Sequence, residues 1–331
     1  MSWGKYLYTC CKAATLGVAF LKESTNTEKE SEKLKRDMRR SIYMRLLVVV
    51  VFIGLPYRTL AQQDPSYTLY NYNMNVVNPA YAGSSEQSQL NINFRSQWVG
   101  LEGAPETQSL SLGIPINDQI GIGASVVNDQ VFVLNETDAY IDFSYKLQLT
   151  DNTKLYLGLK AGGSFVDIDL NSLQITNDPL FTENVSSFNP NIGVGALLRG
   201  SSYYLTLSAP QLLKSDRFEK QAGIATEATD ELHFFAGGGY HLAINENLRF
   251  TPSTMVRLVS GSPTTIDLTG TFDIYKRVEL GLNYRLNESV SGLAFVKMAD
   301  WMAFGYAYDR STTNIGDYSR GSHEVLLRFN L

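Results

Sequence analysis

The stretch Asp138 to Leu149 reads DAYIDFSYKLQL, with Ala139, Ile141, Phe143, Tyr145, Leu147 and Leu149 at every second position. Asp138, Asp142, Ser144, Lys146 and Gln148 fill the alternate positions. A period of two is that of a strand with two different faces. One face suits lipid and the other water. The same alternation sets Leu90, Ile92 and Phe94 against Asn91, Asn93 and Arg95, and Val278, Leu280, Leu282 and Tyr284 against Glu279, Gly281, Asn283 and Arg285. It recurs in 155–165 and 265–274.

Working outward, the pattern predicts strands near 89–97, 107–114, 120–129, 137–149, 153–169, 188–199, 203–209, 232–243, 248–259, 264–274, 278–286, 289–297, 301–309 and 322–331. That is about 14 strands, an even number of the kind single-chain bacterial barrels carry. The connections alternate in length. Short turns carry Asn117 and Asp118, Thr150 to Asn152, Gly200 to Ser202, Asn245 to Asn247, and Tyr275 to Arg277. These are mostly turn-forming residue types. The longest connections, 171–187, 210–231 and 310–321, all fall on one side. A soluble β-sandwich alternates too, but nothing in its construction sorts loops by length. In hydrocarbon an open sheet edge leaves N–H and C=O groups unpaired at several kcal/mol each, so closure is required. The fold expected is all-β, a transmembrane antiparallel β-barrel with a short extended N-terminal periplasmic segment. Two places resist the pattern: 290–298 alternates poorly, and Pro252 must cost a ladder hydrogen bond or mark a bulge.

Before the strands, Arg39, Arg40 and Arg45 precede the apolar run Leu46 to Leu55, then Pro56 and the small-residue ending at Ala61. This is the order of an export signal. About ten apolar residues are half of what a spanning helix needs. The expected organisation is a mis-called N-terminal extension over 1–37, a signal peptide over 38–61, a periplasmic N-terminal segment over 62–88 and an outer-membrane barrel over 89–331. Cys10 and Cys11 are the only cysteines, so the predicted exported part has no thiol for a disulfide or metal site. From Gln62 onward there are 17 Lys and Arg against 28 Asp and Glu, a formal charge of −11. That balance disfavours nucleic acid as a partner.

Neither a Gly-x-Ser-x-Gly elbow nor a His-Glu-x-x-His helix occurs, so the sequence nominates no catalytic residue, cofactor site or metal site. His233 and His241 would stand far apart along one strand and read as pore lining. Gly121, Gly123, Gly193, Gly195 and Gly237 to Gly239 sit within strand patterns, without the basic residue a phosphate loop requires. They mark places where the wall bends or the lumen is crowded. The lumen-facing charges Arg95, Asp142, Lys146, Lys160, Arg199, Arg249, Arg257, Asp267, Asp273, Glu279 and Arg285 have mixed sign. Paired, they would brace a filled interior; unpaired, they would line a channel.

Two blocks carry a family resemblance. The first is Asp64 to Met74, DPSYTLYNYNM, followed by Asn78 to Gly83, NPAYAG; the second is Arg95 to Gln108, RSQWVGLEGAPETQ. Together they resemble the N-terminal signature of the PorP/SprF family of type IX secretion system outer-membrane proteins from Bacteroidetes. The resemblance implies a non-enzymatic barrel in the outer membrane, in contact with its lipid and with periplasmic components of that system. In supporting export or surface attachment of secreted proteins such as gliding adhesins, the resemblance implies one of two roles: a part of the system's envelope complex, or the dedicated partner of one large secreted adhesin met on the external side. The signature residues Tyr67, Tyr70, Asn78, Pro79, Tyr81, Arg95, Gln97, Trp98, Gly100, Gly103 and Pro105 are the partner-binding candidates. By residue type alone, the first block is an extended segment that caps or plugs the barrel mouth, its aromatics packing on the barrel or docking a partner. A passive or substrate-specific porin is the alternative function.

Overall fold

The computed structural model describes residues 66–173, 184–213, 232–260 and 262–331. The expected export signal, the extension before it and parts of two long connections lie outside them. In chain order the strands are β1 (Gln89–Ser96), β2 (Glu106–Pro115), β3 (Ile120–Val131), β4 (Leu134–Thr150), β5 (Thr153–Ile168), β6 (Val185–Arg199) and β7 (Tyr203–Ala209). There follow β8 (His233–Tyr240), β9 (Leu242–Asn245), β10 (Leu248–Val259), β11 (Thr265–Ile274), β12 (Val278–Arg285), β13 (Ser289–Ala299), β14 (Met302–Ser311) and β15 (Ser322–Asn330). Sequential strands pair antiparallel, and β1 pairs with β15 from Gln89↔Asn330 to Ser96↔His323, which closes the sheet.

β8 and β9 are two halves of one wall strand, both paired with β10, so the wall has the fourteen strands the alternation predicts. Their interruption at His241 faces Thr251 and Pro252. Proline has no N–H to give the ladder, and the neighbouring strand breaks where that donor is missing.

The burial pattern is that of a protein turned inside out. On β4, Ile141 is 71% exposed and Phe143 42%, while Asp142 and Ser144, which alternate with them, are each 1% exposed. Phe94, Leu159, Leu205, Leu207, Leu268 and Leu282 likewise point outward, and Asn93, Ser111, Lys160, Thr269, Asn283 and Glu324 inward. Hydrophobic side chains outside and polar ones inside are what a membrane-spanning strand needs. Aromatic pairs mark both ends of the apolar band: Phe165 with Phe188 at 4.6 Å toward one end, Trp301 with Phe329 at 6.2 Å toward the other.

At one end every connection is short, namely 116–119, 151–152, 200–202, 246–247, 275–277 and 300–301. The opposite end carries the long loops, yet also the two-residue tip of Phe132 and Val133 and the turn 286–288. Loop sorting is therefore strict at one end only.

The segment before β1 plugs the barrel, one of the two placements its residue types allowed, but it is coiled rather than extended. Residues 66–88 coil into three single 3-10 turns, Tyr70–Tyr72, Met74–Val76 and Pro79–Tyr81, and are largely buried within the barrel. The reason is steric and polar together: a barrel of this width must be filled or flooded, and this segment supplies the filling.

Candidate functional site

The segment, hereafter the plug, starts near the long-loop end, where Ser66 meets Arg285, the last residue of β12. It descends past Leu69, Tyr72 and Asn75, and leaves at the short-turn end, where Gly83 lies against Ile114 and Gly121. From there it turns into β1.

Local sequence explains its shape. Asn78 Oδ1 accepts the Ala80 N–H at 2.9 Å, and Pro79 takes the first position of the turn that follows. The Asn78 side-chain amide also donates to Thr206 Oγ1 at 2.7 Å and reaches the Ala196 and Leu207 carbonyls at 3.2 and 3.3 Å. The wall yields to this turn with glycine. A Cβ on Gly195 would lie 1.9 Å from Asn78 Oδ1, and one on Gly158 would lie 2.2 Å from the Ala80 nitrogen. Gly121 and Gly123 face Ala82 in the same way. These glycines answer to a crowded lumen.

Apolar contacts fix the opposite side. Leu69 and Tyr72 pack on Leu293, Phe295, Ala303, Ala307 and Leu326, and the Tyr72 and Phe295 rings stack at 4.3 Å. This accounts for the weak alternation of 290–298: on β13 the inward positions are apolar because they meet the plug rather than water. Tyr67, Tyr70 and Met74 pack with Met255, and Ala80 with Tyr156 and Leu197. Burial pushes the hydroxyls of Tyr67, Tyr70, Tyr72 and Tyr81 above the usual phenol range, so they act as neutral groups.

Buried charges hold the plug backbone. Arg95 bridges Asp309 at 2.6 Å and Glu324 at 3.0 Å, all three buried. Glu324 accepts the Thr68 N–H at 2.7 Å, the Leu69 N–H at 3.3 Å and the Asn93 amide at 2.8 Å. Thr68 Oγ1 lies 2.8 Å from both Asp309 oxygens. Backbone donors of a non-helical segment, stranded away from water, thus find a carboxylate. Arg285 pairs with Asp267 at 2.8 Å and donates to Ser66 Oγ and the Tyr67 carbonyl, each at 3.1 Å. Lys160 pairs with Asp142 at 3.2 Å and donates to the Val76 carbonyl at 3.1 Å. Arg328 donates to the Tyr72 carbonyl and to Asn91. Of the charges expected in the lumen, Arg95, Asp142, Lys160, Asp267 and Arg285 are paired and buried. The sequence reading missed Thr68, Asp309, Glu324 and Arg328. Glu324 and Arg328 were legible as the alternate face to Val325, Leu327 and Phe329.

The partner-binding candidates divide into two sets. Tyr67, Tyr70, Asn78, Pro79 and Arg95 are buried at the plug–wall contact, with Tyr81 half-buried beside them. Gln97, Trp98, Gly100, Gly103 and Pro105 lie instead on the β1–β2 loop at the long-loop end. That loop is stitched to its neighbours: Val99 N–H to the Gly321 carbonyl at 2.8 Å, Arg320 N–H to the Val99 carbonyl at 2.9 Å, and Phe132 N–H to the Gly103 carbonyl at 3.1 Å. Trp98 and Phe132 hold left-handed backbone conformations, at φ 46° and 55°. Bulky residues adopt these at a cost, and such strain concentrates where a surface is held in one shape for use. The result is a shaped outer rim with Phe132 60% and Tyr318 77% exposed.

Residues 59–329 match the family described as type IX secretion system membrane protein PorP/SprF. No match was found among curated proteins. Among solved structures, the chain is similar to the outer-membrane protein Omp33 of Acinetobacter baumannii, with 8% identity over 75% of this chain and 100% of that one and a TM-score of 0.44. It is also similar to the CymD monoaromatic hydrocarbon channel, with 11% identity, 77% and 91% covered and a TM-score of 0.48. A third is a Pseudomonas aeruginosa FadL homologue, with 13% identity, 83% and 96% covered and a TM-score of 0.43.

Proposed function

Because the chain belongs to the PorP/SprF family of type IX secretion system membrane proteins, we propose that it is a non-enzymatic, plugged barrel supporting export or surface attachment of secreted proteins, gliding adhesins among them. Its place is the outer membrane, where such barrels turn their short connections to the periplasm. In this reading the short-turn end meets periplasmic components of the secretion system. The outer rim of Gln97, Trp98, Gly100, Gly103 and Pro105, with Phe132 beside it, meets the secreted protein.

The observation that carries the reading is the plug. A porin needs an aqueous lumen, whereas here residues 66–88 occupy the lumen and are bound there through buried ion pairs and main-chain hydrogen bonds. A rigid, closed cylinder with a shaped rim is suited to holding a partner. The experiment is deletion of the gene, with complementation by the native chain and by Trp98→Ala. Loss of one or more secreted proteins from the cell surface, restored only by the native chain, is the expected result. Normal export and attachment of all such cargo after deletion would sink the proposal. Loss of a small solute's uptake with unchanged surface proteins would favour the porin.

A further inference from the structure

At the short-turn end three cations crowd one stretch of the lumenal wall. Lys146 on β4, Lys154 on β5 and Arg199 on β6 occupy the inward face, in step with buried Ser144, Tyr156 and Leu197. Lys154 is the direct register partner of Arg199, and Lys146 that of Tyr156. Like charges opposite each other on neighbouring strands destabilise a sheet. Among the described residues no ion pair relieves this. Among the described residues neither lysine ammonium has a hydrogen-bond or ion-pair partner. Arg199 cannot swing away: it donates to the Ser84 carbonyl at 2.9 Å and lies against the Tyr81 and Tyr156 rings, 5.9 and 5.7 Å from their centres.

The three cations share a cavity of about 480 Å³, whose lining also includes the hydroxyl-bearing Ser84, Ser85 and Ser144. Glu86 and Asp118 also line it, both exposed and neither in an ion pair with the cations. We propose that this cavity receives an acidic peptide segment of a periplasmic partner, with two or more carboxylates set among Lys146, Lys154 and Arg199. The volume accommodates several side chains rather than one small anion. Its position inside the wall keeps it from lipid headgroups, which lie outside, and its place at the short-turn end gives access from the periplasm. The proposal deepens the periplasmic half of the function proposed above and rests on it for the partner's compartment.

The test uses the full chain purified in detergent and a fluorescent hexaglutamate peptide, followed by anisotropy. The native protein is expected to bind, with affinity falling steeply as salt screens the charges. The Lys146→Glu/Lys154→Glu variant should bind at least about tenfold more weakly, and Lys146→Arg/Lys154→Arg should retain binding. Heat-dependent gel mobility checks that each variant is a folded barrel. Equal binding by the native and double-Glu proteins, no binding by the native protein, or binding of inorganic phosphate without the peptide would each overturn the proposal. No cargo enters this assay, so its failure leaves the secretion reading intact. Unaffected export in a deletion strain would leave a positive binding result intact.

Discussion

Arg95→Met removes the cation that, among the described residues, bridges Asp309 and Glu324. The guanidinium lies 2.6 Å from Asp309, 3.0 Å from Glu324 and 3.3 Å from Thr68 Oγ1, with every partner buried. Without it, two carboxylates share a site closed to water. Glu324 keeps the Thr68 and Leu69 amides as donors, and Asp309 keeps the Thr68 hydroxyl. The cost should therefore match one broken buried ion pair, about 3–5 kcal/mol, rather than two. Urea unfolding in lipid vesicles, followed by tryptophan fluorescence and by the heat-dependent gel shift, measures the loss. Adding Asp309→Asn and Glu324→Gln discharges the site, and the triple variant should regain roughly half or more of that loss. A loss below about 1 kcal/mol, or a triple variant no more stable than Arg95→Met, would refute the clamp.

Asn78→Ala removes a turn cap and an amide whose two N–H groups serve Thr206 Oγ1 and the Ala196 and Leu207 carbonyls; a loss of about 2–4 kcal/mol is expected in the same unfolding assay. Gly195→Val puts side-chain atoms where Asn78 sits, so sugar permeation through liposomes carrying this variant should exceed that of the native protein. Phe295→Ala, facing the plug at 2% exposure, should cost about 3–5 kcal/mol. Leu282→Ala, 69% exposed to lipid, should cost far less, and equal losses for the pair would contradict the assignment of faces.

The wall was legible because lipid on one side and a polar lumen on the other impose a period of two that no loop preference overrides. Strands predicted at 203–209 and 248–259 coincide with β7 and β10, and that at 264–274 begins one residue before β11. The poor alternation of 290–298 was a true signal, since Leu293 and Phe295 face Leu69 and Tyr72. Its meaning could not be read without knowing what fills the barrel. That the first block could plug the mouth was legible, but its coiled path and its anchors were hidden. Three single 3-10 turns have no periodicity, and the partners that hold them lie far along the chain, with Thr68 and Glu324 separated by 256 positions. Only the Asn78–Pro79 turn showed locally. Likewise Phe132 and Val133 close a tight hairpin between β3 and β4 without the glycine or asparagine that marks such turns, so β4 begins three residues earlier than the alternation suggested.

Planar-bilayer conductance tests the plugged barrel most directly. The account predicts no steady current through the native chain, and discrete open-channel steps from a variant lacking residues 66–84 that still runs as a folded barrel. A steady current through the native chain equal to that of the deletion variant would contradict it.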